Sequence, residues 1–174
     1  MTAPGVEPGG DPSAGLGHML GSTHHLQVNL STTMPTGTIN PKYSSETLTR
    51  GIRVRVSPFF LADHSDPSAG KWVFAYKVRI ANEGDLRARL LTRRWVITDA
   101  HGQAKLVEGE GVVGQNPDLA PGQSFEYSSF CPLETPWGTM EGAYQFYDER
   151  GDAFDVGIAR FYLVSEPSEA PVNA

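Results

Sequence analysis

Between residues 72 and 80 apolar side chains recur at every second position, as Trp72, Phe74, Tyr76, Val78 and Ile80, with Lys77 and Arg79 on the alternate ones. Successive side chains of an extended chain point to opposite faces. This spacing therefore demands a strand with one buried and one solvated face, whereas a helix would scatter the same residues around its circumference. Ile52, Val54 and Val56 alternate with Arg53, Arg55 and Ser57 in the same way. Asn82-Glu83-Gly84 ends the 72–80 strand, and residues 89–98 form the next, with Leu91, Trp95 and Ile97 on one face and Leu90 and Val96 on the other. Further strands are predicted at 103–108, 124–130, 139–148 and 153–163. In the last, Phe154, Val156 and Ile158 keep one parity while Phe161 and Leu163 take the other, which places a bulge near Ala159 and Arg160. About seven short strands, separated by turn signals and with no amphipathic helix, predict an all-β fold. The expected form is an immunoglobulin or fibronectin type III-like antiparallel β-sandwich. Tyr144 is placed like the tyrosine that caps a sheet corner in such folds.

The strand pattern occupies residues 43–164, read as one domain. Residues 1–42 are rich in Gly, Pro, Ser and Thr without periodicity and are read as a disordered extension, and 165–174 as a flexible tail. His18, His24 and His25 lie in the extension, where no scaffold would fix them as metal ligands. No apolar run approaches the roughly 20 residues that cross a bilayer, so no membrane association is expected. The N-terminus lacks the basic start and apolar stretch of a signal peptide, and the single cysteine, Cys131, permits no intrachain disulfide. Both features point to the cytoplasm.

Charge is distributed unevenly. Residues 51–94 hold nine Lys/Arg against four Asp/Glu, and residues 95–163 hold three against eleven. In a sheet protein these segments interleave, so cross-strand ion pairs are the expected outcome. Nucleic-acid binding by Arg87, Arg89, Arg93 and Arg94 is the sharper alternative. The net charge of −6 and the lack of a nucleic-acid motif speak against it.

Gly109-Glu110-Gly111-Val112-Val113-Gly114 spells the glycine fingerprint of dinucleotide sites. That fingerprint works by opening a helix whose first amides hold a pyrophosphate. Here Gln115-Asn116-Pro117-Asp118-Leu119-Ala120-Pro121-Gly122 follows, with two prolines and a Pro-Gly turn, so the glycines are expected to serve a turn or a close backbone approach. The alternative is a helix-free nest in which the amides of Gly109, Gly111 and Gly114 bind a phosphate-type ligand. Glu108 and Glu110 oppose an anion there unless a divalent cation intervenes, and Arg50, Arg53, Arg93 or Arg94 would have to supply compensating charge.

No catalytic constellation emerges. His64-Ser65-Asp66-Pro67 reads as a turn, because neighbours in one loop cannot form a nucleophile–base–acid relay. The possible nucleophiles are Ser65, Ser128, Ser129 and Cys131. Cys131 precedes Pro132 without an adjacent basic residue and is read as a buried structural thiol. Asp148-Glu149-Arg150-Gly151-Asp152 is read as a hairpin with solvated charges, not as a cation site.

Taken together, Thr49-Arg50-Gly51-Ile52, Ser65-Asp66-Pro67, Trp72-Val73-Phe74-Ala75-Tyr76, Trp95-Val96-Ile97-Thr98-Asp99-Ala100, the glycine segment, Leu119-Ala120-Pro121-Gly122, Cys131-Pro132-Leu133 and Gly138-Thr139-Met140-Glu141-Gly142-Ala143-Tyr144-Gln145 resemble the bacterial ApaG family over residues 43–164. The chain departs from the family pattern at Arg94, often His, at Trp137, commonly a small residue, and in its long N-terminal extension. The resemblance implies a fibronectin type III-like sandwich. It also implies a loose association with cobalt and magnesium homeostasis and with a neighbouring diadenosine tetraphosphate hydrolase. Eukaryotic versions sit inside an F-box protein and a DNA-polymerase-associated protein, which implies a binding module. The expectation is thus a non-enzymatic protein-binding domain without cofactor or metal, and the alternative is phosphate or nucleotide binding at Gly109–Gly114.

Overall fold

A computed structural model describes residues 39–166. The readings made of His18, His24 and His25, and of most of both tails, lie outside those residues. The described residues form nine strands: β1 (Ser45–Thr49), β2 (Ile52–Phe60), β3 (Trp72–Asn82), β4 (Ala88–Asp99), β5 (Ala104–Glu110), β6 (Asp118–Leu119), β7 (Ser124–Leu133), β8 (Trp137–Asp148) and β9 (Ala153–Val164). Three single 3-10 turns are the only helical pieces among the described residues. One sheet runs β1-β2-β3-β7; the other runs β5-β4-β8-β9, with β6 on the same edge of β4 as β5. All the pairings are antiparallel, and the two sheets stack as the expected β-sandwich.

The core follows the alternation read from the sequence. Phe74, Tyr76, Val78 and Ile80 of β3 are buried, as are Ile52, Val54 and Val56 of β2. In β9, Ala159 and Arg160 together oppose the single residue Glu141 of β8, which is the bulge that the parity change requires. β4 differs from expectation. Leu91 is bulged between Leu90, paired with Phe146, and Thr92, paired with Gln145, so Leu90 joins Trp95 and Ile97 on the buried face. Asn116 holds this bulge by donating its side-chain amide to the carbonyls of Leu90 and Leu91 (both 3.1 Å), and the Leu90 amide donates to the Pro117 carbonyl (2.9 Å).

β1 and β6 were not anticipated. β1 offers one large apolar side chain, Leu48, which stays exposed, and the strand exists because a two-residue turn at Arg50-Gly51 folds it onto β2. The ends of the described chain meet, with Tyr43 Oη donating to Glu166 Oε1 at 2.6 Å. The basic stretch finds acids across the sheets, through Arg53 with Glu46 and Glu83, Lys77 with Glu126 (2.8 Å), Arg87 with Asp118 (3.4 Å) and Arg94 with Glu108 (3.6 Å).

Candidate functional site

The glycine segment is the hinge between β5 and the strip that returns along β4. Val112 and Gln115 close a two-residue turn with reciprocal bonds of 2.8 and 2.9 Å. Both residues between them have positive φ, Val113 at +45° and Gly114 at +76°. That is the primed turn geometry which matches strand twist and normally selects Asn or Gly at both positions. A β-branched residue there is strained. Val112, fully buried, and Val113, packed on the edge of the core, hold it in place. Gly111, at φ +57°, stands so close to the turn that a Cβ would lie 2.3 Å from the Gln115 carbonyl oxygen.

Arg93 explains the remaining glycine. It pairs with Tyr144 across β4–β8 and with Gly109 across β4–β5, on the inward-facing side of its strand. Its Nη1 donates to the carbonyls of Glu110 (2.7 Å) and Gly111 (2.8 Å). The guanidinium passes directly over Gly109, where a Cβ would meet it at 3.0 Å. The segment thus presents carbonyls to a cation that the chain itself supplies. Of the three amides that an anion nest would use, that of Gly111 is donated to the Leu91 carbonyl at 2.6 Å, and Gly109 lies in the β4–β5 ladder. Outside the turn, Glu108, Glu110 and Asp155 line a shallow hollow of about 520 Å³ against two cations, Arg94 and Arg93, the latter already bonded to the Glu110 and Gly111 carbonyls. That field disfavours an anion.

Inward from Arg93 the sheets share a tyrosine cluster. Tyr127 of one sheet and Tyr144 of the other hydrogen-bond through their hydroxyls, and Tyr76 is buried beside them. Trp95 meets Tyr76 and Tyr144 edge-on, at ring distances of 5.7 and 6.0 Å. Burial pushes the Tyr76 phenol up to about 12 and those of Tyr127 and Tyr144 well above the ordinary tyrosine range, while the positive charge of Arg93 acts in the opposite direction on all three. Tyr144 therefore joins the two sheets through a side chain in mid-strand and does not cap a sheet corner. Either single Tyr→Phe change at 127 or 144 strands its partner's buried hydroxyl and is expected to cost about 1–3 kcal/mol, while the double change costs less than the sum of the two. Chemical denaturation of the four proteins in that cycle measures it.

The other sequence candidates fall as follows. Ser65 Oγ donates to the Leu61 carbonyl (2.7 Å) and accepts from the Val73 amide (2.8 Å). Asp66 caps the 3-10 turn Pro67–Ala69 and accepts from the Ser68 and Ala69 amides (3.1 and 3.2 Å). The His64–Pro67 segment is thus a turn. Cys131 is buried, and burial pushes its thiol up to about 12, far from a nucleophile. Ser129 faces Tyr76 in the β3–β7 ladder, and Ser128 faces Lys77. Asp148 corrects one expectation, since it is buried and not solvated. It accepts from the amides of Arg150 (2.9 Å) and Asp152 (3.1 Å) and pairs with Arg50 (3.4 Å), whose guanidinium lies 4.4 Å from the centre of the Phe154 ring.

Sequence reasoning missed the part played by Arg93, because two adjacent arginines in an alternating strand give no sign of which one faces inward. It also missed a surface. On the outer face of the second sheet Trp137 pairs with Val164, Thr139 with Tyr162, and Val96 with Leu106, while Thr98 links β4 to Thr139. Leu106, Trp137 and Tyr162 are 52%, 46% and 44% exposed. The Glu141–Arg160 and Arg94–Glu108 ion pairs border this apolar area.

Comparison with known proteins places the molecule. The ApaG domain profile matches residues 62–148. Protein ApaG of Anaeromyxobacter sp. (strain K) is 50% identical over 120 residues, 69% of this chain and 94% of the relative. Protein ApaG of Paramagnetospirillum magneticum is 51% identical over 123 residues, 71% of this chain and 94% of the relative. The crystal structure of a Bordetella pertussis protein described as ApaA superposes with a TM-score of 0.64 at 50% identity, covering 65% of this chain and 92% of that one.

Proposed function

The chain belongs to the ApaG domain family, and we propose that it acts as a non-enzymatic, cytoplasmic protein-binding module that engages its partner through the outer face of the second sheet. The observation that carries this reading is the exposure of Trp137, Tyr162 and Leu106 on one face. Contiguous apolar surface rimmed by polar groups marks interaction sites, and interfaces concentrate aromatic side chains at a centre from which charge is depleted. The threonines between the apolar rows carry no charge, and the neighbouring charges are already paired with each other. A connection to cobalt and magnesium handling would run through the partner bound there.

Trp137→Glu tests the reading. The side chain is exposed, so folding stability is expected to change by no more than about 0.5 kcal/mol. Loss of a central interface tryptophan typically costs about 2 kcal/mol or more of binding, roughly thirtyfold in affinity. Affinity capture from the native host is expected to retain a specific protein through moderate salt with the parent chain and to lose it with the variant. If both proteins capture the same background, while nucleotides, dinucleoside polyphosphates, Mg²⁺ or Co²⁺ raise the parent's Tm, the phosphate-ligand reading replaces this one.

A further inference from the structure

Among the described residues the sandwich is closed along one side and open along the other. β1 and β2 lie against β9, where Thr47 Oγ1 donates to the Gly157 carbonyl. On the opposite side the free edge strands β7 and β5 leave a cleft of about 510 Å³. Its size falls within the roughly 300–1,000 Å³ of small-molecule sites. Ile97, Val107, Cys131 and Leu133 form an apolar floor, and Lys71, Lys105, Asp99 and Glu134 stand around it.

We propose that this cleft binds a small anionic amphiphile, a medium-chain aliphatic carboxylate, with its chain on that floor and its carboxylate at Lys105. Lys105 pairs with Ile97 in the β4–β5 ladder and so shares the inward-facing side of the edge strand with a buried core residue. A lysine at such a place guards a free edge against pairing with other strands. That role needs only a charge, whereas this side chain also lines the cleft together with Ile97, Val107, Cys131 and Leu133. Among the described residues Lys105 has no ion-pair partner. The cleft's four charges sum to zero, so the sign that a ligand meets is set by which of them its polar end reaches, Lys71 and Lys105 attracting a carboxylate and Asp99 and Glu134 repelling it. Asp99 is committed to its own turn, its Oδ1 accepting from the His101 and Gln103 amides at 2.9 Å each. An alkyl chain gains by leaving water for the floor, and a charge-assisted contact to Lys105 fixes its polar end. Cys131 stays protonated at neutral pH and serves as apolar wall, so binding is reversible and forms no covalent bond. The cleft is separate from the outer sheet face, and this inference stands independently of the protein-binding reading.

The test is a titration of the isotopically labelled full chain with sodium dodecanoate below its micellar concentration, followed by amide chemical shifts. Saturable shifts are expected at Val107, Cys131 and Leu133. Lys105→Glu, at an exposed side chain, is expected to fold normally and to weaken binding by about tenfold or more. Dodecyltrimethylammonium, with the same chain and the opposite charge, is expected to bind at least about tenfold more weakly than dodecanoate. No saturable shift, shifts centred elsewhere, unchanged affinity in Lys105→Glu, or equal binding of the cationic amphiphile would each overturn the proposal.

Discussion

The Gly111→Ala variant is expected to lose about 3 kcal/mol or more of stability, enough to unfold a marginal domain. Two costs combine there. The backbone is left-handed at φ +57°, and the added Cβ would lie 2.3 Å from the Gln115 carbonyl oxygen, a backbone atom in a closed turn that cannot swing away. Gly114 separates the two costs. Its φ is +76°, but nothing lies within 4 Å of the Cβ position, so Gly114→Ala carries the conformational strain alone, about 1 kcal/mol. Gly109→Ala would press on the flexible guanidinium of Arg93 and weaken its bonds to the Glu110 and Gly111 carbonyls. Urea denaturation should therefore rank Gly111 as the most costly and place Gly114 well below it. Three variants as stable as the parent would show that the turn does not depend on these glycines. Loss of a ligand-induced rise in Tm, with the free protein's Tm unchanged, would instead assign them to an anion.

Alkali is expected to unfold the domain over a narrow pH range. Tyr76, Tyr127, Tyr144 and Cys131 are all buried in their protonated forms, and desolvation raises each above its unfolded value of 10.0 for tyrosine or 9.0 for cysteine. As pH rises through those unfolded values, the unfolded chain loses protons that the folded chain keeps. Stability is thus complete below about pH 9 and falls above it, by up to about 1.4 kcal/mol per pH unit for each group that has become ionisable in the unfolded state. With Tyr76 and Cys131 reaching only about 12, and the Tyr127–Tyr144 pair higher still, the decline continues through the whole interval. Stability of a typical domain, roughly 5–15 kcal/mol, is then exhausted near the top of it. The absorbance step of the three buried phenols, Tyr76, Tyr127 and Tyr144, should coincide with the loss of near-ultraviolet circular dichroism. Full tyrosine ionisation near pH 10 with the tertiary signal intact would show the cluster to be solvent-accessible.

The strands of the core were legible because their evidence is local. Alternation in β2 and β3 names the buried face without knowing the partner, and the parity change between Ile158 and Phe161 locates the β9 bulge, since only apolar residues can occupy that face. Alternation lost its meaning where adjacent residues were both apolar. Leu90 and Leu91 fit either phase, and Asn116 and Pro117, a distant stretch folded back along β4, decide which of them is bulged. Ser45–Thr49 carries too little apolar pattern to announce a strand and takes its conformation from pairing with β2. In the glycine segment the prolines downstream already excluded the helix that a dinucleotide site needs. That the segment's carbonyls receive Arg93 could be learned only from the strand pairing that sets Arg93 across from both Gly109 and Tyr144. By itself the sequence determined the all-β class and the two-faced character of its long central strands, because side-chain direction in an extended chain depends only on covalent geometry. Tertiary structure decided which arginine turns inward, which sheet face is left apolar and exposed, and which side of the sandwich stays open, because each depends on contacts between residues far apart in the chain.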